Sequence, residues 1–219
     1  MDFFHIYNRG VDKRKTFLHA SDYLRFTQNL FIYNTIESYP HNDWSIALRL
    51  KQKPSEQLVT IHAYCLMQNH YHLLLSPVQE HGIPLFMQKV NMGYSKYFNE
   101  RYERSGALWQ GKYKSVTITD DAQFLYIPYY IHLNALDRSL PKWRKGLIED
   151  TNKALSLLES YRWSSHQAFM KKPETTLTSS LVNNSFFVNE LTTKEYISQI
   201  NKIISSPELA EQSTLTEWR

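Results

Sequence analysis

The chain has 219 residues, an apolar fraction of 42% and one cysteine, Cys65. This length and apolar content suffice for one folded domain with a tail, and a single cysteine excludes an internal disulfide and a cysteine-based zinc site. Lysine and arginine total 25 against 21 acidic residues, giving a net charge of +4, which permits an anionic partner without requiring one. Without a basic, apolar leader or a long apolar stretch, we expect a cytoplasmic protein with no membrane span.

Hydrophobic periodicity predicts alternating strands and helices along the first two thirds of the chain. The predicted strands are 3–7, 58–67, 71–75 and 107–118, and the predicted helices are 21–34, 83–102 and 120–136. Residues 45–50 alternate only in part between apolar and polar. The β-α-β-β-α-β-α order indicates an α+β fold, a ferredoxin-like antiparallel sheet with one added helix. Helices on one face would leave the other face of the sheet open to a ligand.

The C-terminal part of the chain has a different composition. Residues 171–185 are rich in threonine, serine, asparagine and lysine, which is typical of a linker. Residues 192–204 can form an amphipathic helix that docks on the core or on a partner. We therefore expect a catalytic domain at residues 1–169 and a C-terminal linker with a helical tail at residues 170–219.

Two histidines separated by one residue, His70 and His72, stand at the edge of an apolar run. Because side chains alternate between the faces of a strand, both imidazoles should point the same way, about 7 Å apart. Such a pair can share one divalent metal ion if a third ligand comes from elsewhere. By itself, a His-x-His pair is more often one hydrogen-bonded core histidine beside one exposed histidine, so the rest of the chain must decide.

The last predicted helix of this region carries Tyr130 and Asn134 one turn apart, on one face. An amide oxygen suits Mg²⁺ or Mn²⁺ as a neutral ligand, and a phenol can act as a covalent nucleophile. The alternative is that the tyrosines only fill an amphipathic face, which fits Tyr126 and Tyr129 well. Pro128 should kink the helix just before Tyr130, which makes Tyr126 the main rival nucleophile.

Four blocks of the sequence resemble the single-tyrosine transposases, and more closely the REP-associated tyrosine transposases. They are FHIYNRG at 4–10, AYCLMQNHYHLL at 63–74 with its His-apolar-His (HUH) signature, residues 97–114, and YIHLN at 130–134, with a weaker fifth block at 161–165. The resemblance implies the HUH endonuclease fold, Mg²⁺ or Mn²⁺ held by His70, His72 and Asn134, and Tyr130 as nucleophile. It also implies single-stranded or hairpin DNA as the partner.

The chain departs from this family at three positions. Gln68 and Ala135 stand where the family usually has proline, and neither change removes a metal ligand or the nucleophile. Pro128 lies where many relatives have a helix-forming residue, which leaves the direction of the Tyr130 side chain open.

Cationic and aromatic side chains alternate in residues 94–114, and a second basic run follows the first strand. Cations can neutralise phosphates while aromatic rings stack on unpaired bases, each stack contributing about 1–3 kcal/mol. Tyr94 and Phe98 fit the inner stripe of a helix and are assigned to the core. The basic run after the first strand fits a solvated loop equally well. The residues expected at the DNA are Arg9, Lys13, Arg14, Arg104, Trp109, Lys112 and Lys114.

Three functions are consistent with these features. The first is a metal-dependent endonuclease and strand transferase acting on single-stranded or hairpin DNA through a 5′-phosphotyrosine intermediate, bacterial and nucleoid-associated. The second is a non-catalytic hairpin-binding protein of the same fold, and the third is a metal-dependent phosphodiesterase that uses water. The joint presence of His70, His72, Tyr130 and Asn134 favours a catalytic protein over a binding module. Both a monomer and a homodimer are consistent with the sequence.

Overall fold

The computed structural model describes residues 2–37, 56–170, 181–183 and 192–211, so the expectation for residues 45–50 lies outside it. Its strands are β1 (Phe3–Arg9), β2 (Val59–Leu66), β3 (His70–Pro77) and β4 (Lys114–Ile118). They form one antiparallel sheet in the order β2-β3-β1-β4, with β1 paired to both β3 and β4. This is the strand order of a ferredoxin-like sheet, and the predicted α+β fold is confirmed.

The first face of the sheet is covered by two helices, α1 (Ala20–Ile32) and α2 (Gly82–Arg101). Their inner residues form one buried cluster with the strand residues of that face, including Ile6, Phe26, Leu30, Leu73, Leu75, Phe86 and Val90. Tyr94 and Phe98 lie in the same cluster, as their spacing predicts. We call this cluster the first core.

A buried carboxylate ties the two helices of the first core together. Asp22, in the first turn of α1, accepts hydrogen bonds from the backbone amides of Leu18 and His19. It also accepts from the hydroxyls of Tyr97 and Tyr102 near the end of α2, at 2.9 and 2.7 Å. The start of α1 and the end of α2 therefore share one acceptor, which fixes how they pack.

The second face of the sheet is also covered, which corrects the expectation of an open face. Five helices follow β4 among the described residues: α3 (Asp121–Leu133), α4 (Thr151–Ser160), α5 (His166–Phe169), α6 (Thr193–Ser205) and α7 (Pro207–Glu211). Side chains of α3, α4, α5 and α6 form a second core with Ala63, Cys65 and Leu74 of the sheet. The reason lies in α3, whose residues 126–133 are all buried. A helix that is apolar all round must be covered on more than one side.

Local signals in the sequence set the ends of these helices. The Asp120 side chain accepts a hydrogen bond from the Gln123 amide and caps the start of α3. Helix α3 then runs without interruption through Pro128. Thr192 and Glu195 form a capping box that starts α6. No helix in the described part of the chain is both long and apolar enough to cross a membrane. The domain boundary at residue 169 stays a prediction.

Candidate active site

Strands β1 and β3 bring three histidines to the second face of the sheet. His70 and His72 both lie in β3, with ring centroids 5.1 Å apart and ring planes at 86°. On the neighbouring strand, Tyr7 pairs with His72 and His5 pairs with Leu74. The predicted same-face placement of His70 and His72 therefore agrees with the strand geometry. His5 stands two residues before Tyr7, which puts it on the same face.

Helix α3 places Tyr130 over these histidines. The centroid of the Tyr130 ring lies 5.6 Å from that of His72 and 5.6 Å from that of His5, both in edge-to-face contacts. The Tyr130 side chain is only 1% exposed. One chain therefore supplies both the histidine pair and the tyrosine, and the helix directs Tyr130 to the pair in spite of Pro128.

Burial keeps the imidazoles of this site neutral. It lowers the pKa of His5 to about 3 and the pKa of His72 well below its ordinary value. Burial, with help from the charges of Arg9 and Arg144, lowers the pKa of His70 to about 3. A neutral imidazole has one unprotonated nitrogen, which is the form that binds a metal ion.

The hydrogen bonds of the histidines indicate which nitrogens can bind a metal. Nδ1 of His70 lies 2.6 Å from the amide oxygen of Asn69, so it must carry the proton and Nε2 keeps the lone pair. Nδ1 of His72 is 2.9 Å from Nε2 of His5. Nε2 of His72 and Nδ1 of His5 are buried with no hydrogen-bond partner in the described structure. A buried polar atom without a partner is costly, and a metal ion would give Nε2 of His72 one.

The predicted third ligand, Asn134, already has polar partners at both ends of its amide. Nδ2 donates to the backbone oxygen of Tyr130 at 2.7 Å, and Oδ1 accepts from Nη2 of Arg144 at 2.7 Å. One lone pair of Oδ1 remains, but a metal ion there would adjoin a guanidinium of like charge. Asn134 can therefore complete a metal site only if Arg144 moves away from its oxygen.

Arg144 is a site residue that the sequence analysis missed. It lies in a 3₁₀ turn, Pro141–Lys145, and donates from Nε and Nη2 to the two carboxylate oxygens of Asp137, at 2.9 and 2.7 Å. Its guanidinium lies 5.7 Å from the ring centroid of Tyr130. No motif marks Arg144, because it reaches the site through a turn outside every block of resemblance.

No group of three or more histidine, cysteine, aspartate or glutamate side chains is placed to hold a metal ion in the part of the chain that the structure describes. His70 and His72 would therefore need a different kind of third ligand. The Asn134 oxygen, a water molecule or a DNA phosphate each has the right chemistry.

The structure separates the predicted DNA-contacting residues into groups. Lys13, Lys112 and Lys114 are exposed, and Arg9, Arg14 and Arg104 are half-buried. Trp109 is only 7% exposed and packs in the first core, 5.2 Å from the ring of Tyr71. The Trp109 ring therefore helps to complete the core, and the expected DNA contact of this residue stays a prediction.

A basic cleft lies next to the start of β3. It has a volume of about 420 Å³ and is lined by Lys13, Lys15, Tyr23, Met67, Gln68, Asn69, Ala135, Arg138 and Tyr161. The cleft has three cations, a kind of group that can bind phosphates. It also has two tyrosines, a kind of group that can stack on bases. Asn69 lines this cleft and also contacts Nδ1 of His70, so the cleft lies next to the histidine pair.

A network of hydrogen bonds joins α3 to the C-terminal helix α6. Nδ1 of His132 lies 2.8 Å from the hydroxyl of Tyr196, and Nε2 of His132 lies 2.8 Å from the hydroxyl of Ser165. The Tyr196 hydroxyl also contacts Nδ1 of His166 at 3.0 Å. His132 therefore has a structural role two residues from Tyr130, on a different side of the helix.

Comparisons with known proteins bear on the same residues. The family model described as "Transposase IS200 like" matches residues 43–134, a span that includes His70, His72, Tyr130 and Asn134. No curated protein matches the sequence significantly. A similar solved structure is described as "Structure of the REP associates tyrosine transposase bound to a REP hairpin". Its TM-score is 0.40 at 11% identity, over 63% of this chain and 68% of that chain. Residues 43–134 are therefore similar to the IS200-like transposases.

Proposed function

We propose that the chain cuts and rejoins single-stranded or hairpin DNA with Tyr130 as the nucleophile. The observation that carries this proposal is the position of the Tyr130 ring, 5.6 Å from the ring of His72 in the same chain. Nucleophile and metal ligands must converge on one phosphate, and these two residues lie close enough to do so. The family match supports DNA processing of the transposase kind.

The reaction follows from the chemistry of a phenol. The Tyr130 oxygen would attack phosphorus, and the bond from phosphorus to the 3′-oxygen would break. The phenol proton is lost and the leaving oxygen gains one, so the products are a 3′-hydroxyl end and a 5′-phosphotyrosine. The new ester keeps the energy of the old one. Attack by another 3′-hydroxyl would therefore rejoin a strand without ATP.

His70 and His72 would hold the metal ion, through Nε2 of each ring. When bound, Mg²⁺ or Mn²⁺ would polarise the phosphate and stabilise the charge that builds up on it. Two imidazole nitrogens suit Mn²⁺ better than Mg²⁺, which prefers oxygen ligands. Asn134 is the proposed third ligand, provided that Arg144 releases its oxygen.

The same chain supplies the other groups that the reaction needs. Lys13 and the cleft beside β3 would bind the phosphates of the strand entering the site. Lys112 and Lys114 are exposed and could bind a second stretch of backbone. Because Tyr130 and the histidines come from one chain, we propose that a monomer is sufficient for cleavage.

The test is a search for the covalent intermediate. Purified wild type, Tyr130→Phe, Tyr126→Phe and His72→Ala would each be incubated with Mn²⁺ and a pool of hairpin oligonucleotides that carry single-stranded flanks. Tyr126 is the matched control, since it is buried on the same helix one turn earlier. Covalent protein–DNA products would be counted on denaturing gels, and hairpin binding would be measured separately.

We expect a covalent product with wild type and with Tyr126→Phe, and none with Tyr130→Phe or His72→Ala. All four proteins should bind the hairpins with similar affinity, because phosphate and stacking contacts carry most of it. A covalent product from Tyr130→Phe would reject Tyr130 as the nucleophile. Cleavage by wild type without any covalent product would indicate water as the nucleophile. Binding with no cleavage at all would indicate a binding module.

A further inference from the structure

His5 is the buried histidine of the site that the proposed reaction does not use. It lies in β1, fully buried, and its Nε2 is 2.9 Å from Nδ1 of His72. The two ring planes differ by only 16°, so the hydrogen of one ring points along the lone pair of the other. In the antiparallel pairing, His5 is opposite Leu74, which makes His72 its diagonal neighbour and brings the rings within reach.

The direction of this hydrogen bond follows from the metal chemistry. A hydrogen bond between two imidazole nitrogens needs a proton on one nitrogen and a lone pair on the other. If Nε2 of His72 is to bind a metal, its proton must be on Nδ1, which then donates to Nε2 of His5. The His5 proton is then on its own Nδ1. One hydrogen bond therefore determines which nitrogen of His72 keeps its lone pair.

We propose that His5 is a positioning residue for His72, which holds the ring in one orientation and one tautomer with Nε2 directed at the metal. This inference rests on the proposed function, because it concerns the same metal site. Histidines that bind metals commonly donate their second ring nitrogen to a partner, and loss of that partner typically weakens metal binding about 10–100-fold. Here the partner is a second imidazole on the neighbouring strand.

Two other roles for His5 make different predictions. If His5 were a metal ligand, its ring nitrogen would be needed and an amide could not replace it. If His5 only filled space, a ring of similar size without nitrogen would serve as well. A positioning residue needs an acceptor at the position of Nε2, which the amide oxygen of glutamine can supply.

The experiment measures binding of Mn²⁺ alone to the full chain, by titration calorimetry, with no DNA and no activity readout. The variants are His5→Phe, which keeps a ring but removes the acceptor, and His5→Gln, which keeps an acceptor. His72→Ala removes the proposed ligand. His62→Phe is the matched control, because His62 is another buried histidine on the same face, hydrogen-bonded to Ser76 instead. Nitrogen NMR of the imidazole rings would show the tautomer of His72 in the wild type.

We expect His5→Phe to weaken Mn²⁺ binding about 10–100-fold, and His5→Gln to weaken it less than about tenfold. His62→Phe should bind as the wild type does, and His72 should carry its proton on Nδ1. Equal binding by His5→Phe and wild type would overturn the inference and leave the proposed function intact. So would a proton on Nε2 of His72, or a loss in His5→Gln as large as in His5→Phe.

A wild type that binds no Mn²⁺ would overturn the metal chemistry of the proposed function together with this inference. If His5→Phe does not fold, the His5→Gln titration and the wild-type tautomer still decide the question.

Discussion

The two faces of the sheet are covered by helices in the same way but are built from different side chains. The first core consists of aliphatic and aromatic groups, with the carboxylate of Asp22 held among hydroxyls and backbone amides. The second core contains all the fully buried histidines of the described residues, His5, His62, His72, His132 and His166. The second core depends on its buried imidazoles staying unprotonated, whereas the first core contains no buried histidine among the described residues. The proposed chemistry and the sensitivity to pH therefore share one face.

The largest expected effect is loss of stability in acid. Burial lowers the pKa of His5 to about 3 and of His62 to about 4, and lowers those of His72 and His132 as well. Between pH 6.5 and these values the unfolded chain binds more protons than the folded one, so stability falls as pH falls. Each such histidine should remove about 1.4 kcal/mol per pH unit below 6.5 from the free energy of unfolding.

Urea unfolding at a series of pH values from about 7 to about 5 measures this slope. His62→Gln keeps polar groups at that position but does not titrate, so it should reduce the slope. A flat profile in wild type would contradict the neutral second core.

A large effect confined to the first core is expected for Asp22→Ala. Two tyrosine hydroxyls and two backbone amides would lose their shared acceptor, and removing one member of such a buried charged network typically costs about 3–5 kcal/mol. Urea unfolding at neutral pH measures the loss. Glu100→Ala, at an exposed position of α2, should change stability by less than about 0.5 kcal/mol. Equal stability of the two variants would show that the carboxylate is not needed to hold α1 on α2.

A smaller loss of stability is expected when one buried tyrosine hydroxyl is removed from either core. Tyr196→Phe removes the hydroxyl that contacts His132 and His166, which should cost about 1–3 kcal/mol and speed amide exchange in α6. Tyr71→Phe removes the hydroxyl that donates to the amide oxygen of Asn91 on α2, and should cost about 1 kcal/mol. Hydrogen exchange and urea unfolding would compare them. A Tyr196→Phe protein as stable as Tyr71→Phe would mean that the network does not hold α6 in place.

The smallest expected effect lies outside both cores. Lys112→Ala should leave stability unchanged but reduce the slope of log affinity against log salt by about 0.7 for single-stranded DNA. Lys153→Ala, an exposed lysine in α4, is the control and should leave the slope unchanged. Filter binding to a hairpin with a single-stranded flank, over a range of salt concentrations, measures both. Identical slopes would remove Lys112 from the proposed DNA surface.

Local sequence patterns predicted the parts of the molecule that depend on neighbours in the chain. The alternation around His70 and His72 predicted their common face, and the helix predicted at 120–136 begins within one residue of α3. The spacing of Tyr130 and Asn134 predicted a common face, and Nδ2 of Asn134 donates to the backbone oxygen of Tyr130 one turn earlier. In each case a periodicity of two or about four residues determines the geometry.

The features that the sequence did not predict depend on contacts between residues that are far apart along the chain. Trp109 was expected at the DNA because cations and a turn surround it in the sequence, and no local pattern showed that its ring would pack in the first core beside Tyr71. Arg144 was missed because its contact with Asn134 depends on the path of a turn. The second face was expected to be open because no local pattern showed that α6 would pack against Tyr129 of α3.

The network between α3 and α6 also has a consequence for synthesis on the ribosome. His132 and Tyr196 are 64 residues apart, so α3 leaves the ribosome well before its hydrogen-bond partner is made. Until then, the apolar outer side of α3 and the nitrogens of His132 have no cover from α6. The hydrogen bond between His132 and Tyr196, and the cover that α6 gives to α3, can therefore form only after α6 has left the ribosome.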